Sequence, residues 1–334
     1  MNGFLAHYAL FLAEAATLLV AIVIVVVGLV LTSRRKRKDA GHIQVTDVNR
    51  RLEGFGDSIQ ALRLPKKGRK ALEKERKVER KAEQKQTAEG PCSYLLDFKG
   101  DIRASAFTAL REEISAILQV AKAGDAVLLR LESGGGVVSR YGLAAAQLLR
   151  LRDAQLPLTV MVDTVAASGG YLMAAVADKI VASPFALIGS IGVVAQMPNF
   201  YRWLQARNID WEQFTAGKFK RTVSLFGENT DEGRAKLREE LEEIHAIFRA
   251  FVHGRRAQLD MEKVATGEAW LASKALELGL VDELATSDEI IRRACQHGKV
   301  LHINFQRKLS LPERFRVSAH SAWEDIWQPP HPLG

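Results

Sequence analysis

"LTVMVDTVAASGGYLMAAVADKIVAS", residues 158–183, contains an apolar run, one serine followed by two glycines, an alanine-rich run and a second short apolar run. The outer runs have the length and β-branched content of strands, and the alanine-rich run between them reads as helix. On either side the alternation continues. Strand-like "SYLLDFKG" (93–100), "AVLLRLES" (126–133) and "SIGVVAQM" (190–197) are separated by helix-like "SAFTALREEISAILQVAKAG" (105–124) and "RYGLAAAQLLRLRDA" (140–154). Apolar strands joined by amphipathic helices of a dozen residues or more specify βαβ crossovers and a largely parallel sheet with flanking helices. A long helix over roughly 230–256 and a short unit "GEAWLASKALELGLVDEL" (267–284) follow. The last residues, 308–334, read as a loose tail.

The chain has 334 residues and is 47% hydrophobic, enough apolar material for one large domain or two modest ones. Its net charge of +8 suggests a polyanionic partner until it is located. Between Ser33 and Gly90 there are 18 Lys and Arg against 9 Asp and Glu, so that segment carries all of the excess and the remainder is near neutral. No aromatic residue interleaves the charges of "RKALEKERKVERKAEQKQ" (69–86), so nucleic acid is not the expected partner. Cys92 and Cys295 belong to no CxxC pair, and no histidine cluster has metal-ligand spacing. Neither a metal nor a cofactor is expected.

Residues 15–32 read "AATLLVAIVIVVVGLVLT", uncharged, and with the preceding "HYALFLAE" long enough to cross about 30 Å of hydrocarbon as a helix. "RRKRK" follows at once and nothing basic but His7 precedes, which fits a permanent anchor better than a cleaved leader. The expected organisation is an anchor at 1–33, a basic tether at 34–90, a catalytic domain at 91–307 and the tail. The positive-inside rule keeps the tether and the domain behind it cytoplasmic. The tether, polar on every face, is expected as a solvated helix or disordered segment able to touch anionic lipid.

Three glycine-rich spots follow strand-like runs: "ESGGGVVS" from Glu132, "AASGGY" from Ala166 and "IGSIGV" from Ile188. In an open α/β sheet the loops beyond the strand ends form the ligand crevice. Neither phosphate-binding glycine fingerprint is present in the right context. Ser168 at a helix start is either an N-cap or an exposed nucleophile beside backbone amides that could hold an oxyanion. A nucleophile needs a base. Asp163 fits a structural strand-end carboxylate, no histidine lies within these motifs, and "TAGKFKRTVS" offers Lys218 and Lys220 as the remaining bases; a basic surface loop would look identical, and spacing alone does not choose. Trp203, Trp211 and Trp270 are expected in the core or a groove.

"DTVAASGGYLMAAVADKIVASPFALIGSIGVV", with "SGGGVV", "GKFKRT" and "ASKALELGLVDEL" in the same order, resembles the signal peptide peptidase A family of serine peptidases over about residues 93–289. The anchor, tether and single catalytic domain resemble its SohB-type, inner-membrane branch. The resemblance implies a crotonase/Clp protease-like α/β fold and a serine endopeptidase acting on hydrophobic or membrane-released peptides, such as signal peptides, through an acyl-enzyme. It implies Ser168 as nucleophile, Lys220 as general base 52 positions on, Ser190 as the residue orienting that lysine, and the amides of Gly135 and Gly169 as oxyanion donors. The sequence has Ser-Gly-Gly-Gly where the family often has Ser-Pro-Gly-Gly. The resemblance also implies a homo-oligomer in which Ser168 and Lys220 meet across a subunit interface. It places related enzymes on the outer side of the membrane, where the charge rule does not. Two other readings use the same motifs: a crotonase-like enzyme acting on acyl-thioesters without Lys220, and a catalytically silent membrane scaffold.

Overall fold

The computed structural model describes residues 13–21, 41–83 and 90–306. The chain divides into two units, Ile43–Phe305 and a second made of the flanking termini. Of the second unit, residues 13–21 are helical and exposed. The rest of the expected anchor and the 308–334 tail lie outside the described residues. Among the described residues no helix is long and apolar enough to cross a membrane.

The main unit opens with β1 (His42–Asp47), α1 (Val48–Arg63) and α2 (Lys66–Glu83). There follow β2 (Cys92–Gly100), α3 (Phe107–Val120), β3 (Ala126–Ser133), α4 (Val138–Asp153), β4 (Leu158–Val162), β5 (Val165–Ala167), α5 (Gly169–Ala174), β6 (Lys179–Ala182) and β7 (Leu187–Gly189). Next come α6 (Tyr201–Gln205), α7 (Asp231–His253), α8 (Met261–Val264), β8 (Ala269–Leu271), α9 (Ala272–Glu277), β9 (Glu283–Leu284), α10 (Ser287–His297) and β10 (Lys299–Gln306). The main sheet runs β1-β10-β2-β3-β4-β6-β9, and β5, β7 and β8 branch from β3. Its pairings β10–β2, β2–β3, β3–β4 and β4–β6 are parallel, and β7–β8 is antiparallel. The expected parallel α/β sheet is present.

The two-residue side-chain period sorts each central strand onto both faces. Leu96, Phe98, Leu129, Leu131 and Val160 enter one buried cluster with Ile114 of α3 and Leu148 of α4. Leu95, Leu128 and Met161 enter a second with Val48 and Ile291. Burial on both faces explains why these strands read as continuous apolar runs. Truncating Leu129, fully buried, would cost about 2–5 kcal/mol.

Two expectations change. The 34–90 segment is not all tether, because β1 joins the sheet beside β10 and Val48 is fully buried. Asn49 pins this start: its amide donates to the carbonyls of Cys295 and Gly298 at 3.0 Å each, and its Oδ1 accepts from Val300 N–H at 2.8 Å. Val48 covers part of the second face of the sheet, which would otherwise stay wet. α2 is a helix, one of the two states expected for the segment. The second change is that "SIGVVAQM" is not a strand. The strand ends at Gly189 (φ 104°), and Ser190 takes φ 51° with its N–H donated to Glu268 O, so the chain leaves the sheet there.

Candidate active site

Ser168 sits between β5 and α5, at the end of a strand that pairs with β3 and β7. Its backbone has φ 52° and ψ −120°, a conformation that costs an L-residue about 1–3 kcal/mol and persists only where the surroundings enforce it. They do so here: Ser168 N–H donates to Gly189 O at 2.8 Å, and Ser168 O accepts from Leu172 N–H at 2.9 Å. The side chain makes no capping hydrogen bond, so the N-cap reading does not hold. The hydroxyl is left to the adjoining space. The two glycines that follow are forced by close approach. A Cβ on Gly169 would lie 2.4 Å from Tyr141 Cγ, and one on Gly170 2.4 Å from Ser133 O.

Ser168, Ser190 and residues 134–136 line one cleft of about 790 Å³. Gly135 backs onto the serine: at φ 90°, a Cβ there would lie 2.7 Å from Ser168 Cβ and 2.8 Å from Gly169 N. Its own N–H, however, is donated to Ser133 Oγ at 3.1 Å. Gly135 is therefore in place beside Ser168 with its amide already engaged. The next amide, that of Gly136, has no partner among the described residues. α5 is only six residues long, so the individual amide of Gly169, more than a helix dipole, is what the serine has beside it.

The lysines are elsewhere. Neither Lys218 nor Lys220 lines the cleft. Lys218 pairs with Glu232 at 2.7 Å, and Lys220 is exposed, its N–H held by Gly217 O at 3.1 Å. Both lie on the irregular segment between α6 and α7. That segment and α6 carry exposed aromatics: Trp203 and Trp211 are half exposed, so neither is a core residue, and Phe214 is 88% exposed. Trp270 does pack against the core. Asp163 has the structural role expected of it, accepting from Ser287 N–H at 2.8 Å and from Ser287 Oγ at 2.5 Å.

Several cleft residues were not foreseen, among them Glu242, His245 and Thr266. His245 of α7 lines the cleft, a ring nitrogen 3.2 Å from Ile191 O. Its signal was in the sequence, since Leu241, His245, Phe248 and Val252 fall on one helical stripe facing the core. The apolar walls include Ile102, Val137, Val193, Val194 and Leu241.

A strand-end serine is thus held in a strained turn against a glycine loop, at the edge of a cleft with both apolar and polar walls. The family model described as "Peptidase family S49 N-terminal" matches residues 3–148, and "Peptidase family S49" matches residues 150–301. The chain belongs to peptidase family S49, a family of proteases. It is 46% identical to "Probable protease SohB" of Haemophilus influenzae over 342 aligned positions, covering 96% of this chain and 95% of that one. It is 44% identical to the protein of the same name from Buchnera aphidicola subsp. Schlechtendalia chinensis, covering 86% and 98%. With that from Buchnera aphidicola subsp. Acyrthosiphon pisum the identity is 52%, covering 67% of each chain.

Proposed function

We propose that the chain is a membrane-anchored serine endopeptidase that cleaves hydrophobic peptides through an acyl-enzyme on Ser168. The observation that carries this reading is the uncapped, strained Ser168 facing the cleft beside the 134–136 loop. A serine that only stabilised its helix would spend its hydroxyl on a helix amide. Attack by Ser168 Oγ on a peptide carbonyl would place the developing oxyanion toward Gly169 N–H and an amide of the glycine loop, each such donor contributing about 3 kcal/mol. Gly135 serves there only if its N–H leaves Ser133; Gly136 N–H needs no such exchange.

The base in this reading is Lys220, oriented by Ser190. A lysine can act so only when desolvated. Lys220 is exposed in the single chain, so the reading requires a neighbouring copy to bring it to the cleft and cover it. The exposed aromatics around it supply an apolar surface for that contact. Residues 1–33 act as the anchor and the basic segment contacts lipid headgroups at the inner membrane of a bacterium. The apolar cleft walls favour hydrophobic side chains in the substrate.

The test is covalent labelling of the full-length chain with a fluorophosphonate, followed by peptide mapping. Adduct on Ser168, absent in Ser168→Ala, supports the peptidase. A folded chain that stays unlabelled returns the assignment to a scaffold or a thioester enzyme. Protease accessibility of the main unit in spheroplasts decides the side of the membrane.

A further inference from the structure

Behind the glycine loop lies a buried polar chain that the chemistry above does not use. Tyr141, on the first turn of α4, and Ser133, the last residue of β3, are 0% and 1% exposed. Their oxygens are 2.6 Å apart, Tyr141 Oη lies 2.7 Å from the carbonyl of Asp101, and Gly135 N–H reaches Ser133 Oγ at 3.1 Å. Hydrogen bookkeeping fixes every direction. A carbonyl can only accept, so the Tyr141 proton goes to Asp101 O. Tyr141 Oη must then accept, so the Ser133 proton goes to Tyr141. Ser133 Oγ keeps a lone pair for Gly135 N–H. The result is a one-way relay, Gly135 to Ser133 to Tyr141 to Asp101, in which each bond polarises the next.

Steric evidence shows that the space is kept for this relay. A Cβ on Gly100 would lie 2.4 Å from Tyr141 Oη and 2.5 Å from Ser133 Oγ, so the neighbouring strand end has room for no side chain. The ring of Tyr141 also fills the space against Gly169, the residue after the nucleophile, and meets Phe98 edge-on at 6.5 Å. One side chain thus touches both sides of the proposed oxyanion site: its hydroxyl holds the glycine loop and its ring holds the start of α5.

We propose that Tyr141 is a positioning residue that, through Ser133, sets the distance between the 134–136 loop and Ser168. This rests on the serine-peptidase reading and adds to it a residue that never touches substrate. With its N–H drawn back onto Ser133, Gly135 is fixed in its left-handed conformation, and the Gly136 amide has no partner among the described residues.

Tyr141→Phe in the full-length chain is the first test, because it removes only the hydroxyl and keeps the ring packed. Turnover of a chromogenic hydrophobic peptide and the rate of fluorophosphonate labelling are both normalised to folded protein. The expected result is a fall in kcat and in labelling rate of about 10- to 100-fold, with KM within about twofold. Ser133→Ala, a smaller disturbance should Tyr141→Phe fold poorly, gives the same pattern. The double variant is no slower than the slower single variant, since both break one relay. Wild-type kcat and labelling in folded Tyr141→Phe, a loss confined to KM, or multiplying effects in the double variant would each overturn the proposal. Absence of labelling in the wild-type chain is a different outcome: it removes the nucleophile itself, and this inference with it.

Discussion

Replacing Gly135 with alanine would test whether the glycine loop fixes the serine. The new methyl would lie 2.7 Å from Ser168 Cβ, 2.8 Å from Gly169 N and 2.9 Å from Ala167 O, distances that no relaxed Cβ contact reaches. Two of these neighbours are backbone atoms, so the strain cannot be relieved by turning a flexible side chain. The φ of 90° adds about 1–3 kcal/mol for any L-residue, and forced overpacking a further 1–3 kcal/mol or so. A loss of about 2–6 kcal/mol follows, or a Tm lower by on the order of 5–20 °C for a unit of this size. Because the contact is with Ser168 itself, a displacement approaching 1 Å should slow fluorophosphonate labelling about 100-fold in the protein that remains folded. Gly142, seven residues on in α4, is the matched control. A Cβ there meets nothing within 4 Å, and Gly142→Ala should raise stability by about 0.4–1 kcal/mol. Thermal melts of both variants, run beside the labelling rates, give the comparison. If Gly135→Ala melts and labels like the wild type, the loop does not bear on the serine and the site geometry drawn here is wrong.

Burial pushes the Glu113 carboxyl up to about 7, against one hydrogen bond from Phe305 N–H, with nearby Asp97 adding to the rise and His302 opposing it. A folded-state value above the ordinary 4.5 means that the fold takes up a proton. This stabilisation is complete below about pH 4.5 and is lost as pH rises through 7. Glu113→Gln should therefore gain stability over the wild type between pH 5 and 8, by on the order of 3 kcal/mol at most, in denaturant melts. A gap independent of pH would refute the cause given. Arg256 is 3% exposed and holds both carboxylate oxygens of Asp282 at 2.8 Å. Arg256→Ala should cost about 3 kcal/mol, whereas Arg293→Ala, which breaks exposed pairs, should cost under about 1 kcal/mol; equal losses in urea titrations would contradict this. Finally, Ser168→Ala and Lys220→Ala should each be inactive alone, and chains of the two kinds assembled together should recover peptide hydrolysis. No recovery in a mixed assembly of proven composition would place the base within one chain or on another residue.

The sequence by itself determined the parallel α/β class and the central strands β2, β3 and β4 with the helices between them. "SYLLDFKG", "AVLLRLES" and "LTVMV" are apolar at consecutive positions because both faces of those strands are covered, and that pattern is local. The serine and its glycines were legible for the same reason: an abrupt turn between strand and helix has to be written in small residues at fixed positions. The asparagine-pinned start at Val48 was hidden in a charged segment, because its justification is an uncovered face made by strands 50 to 250 residues away. His245 stood on a readable helical stripe, but only packing of α7 over the Ser190 turn made it part of a cleft. The tertiary structure alone decided that the Gly135 amide is spent on Ser133, since that bond depends on Tyr141 and Asp101 converging from separate elements. It also decided that Lys220 stands in solvent in a single chain: spacing along the backbone counts residues, while the approach of an amine to a hydroxyl is set by how independent loops are carried through space.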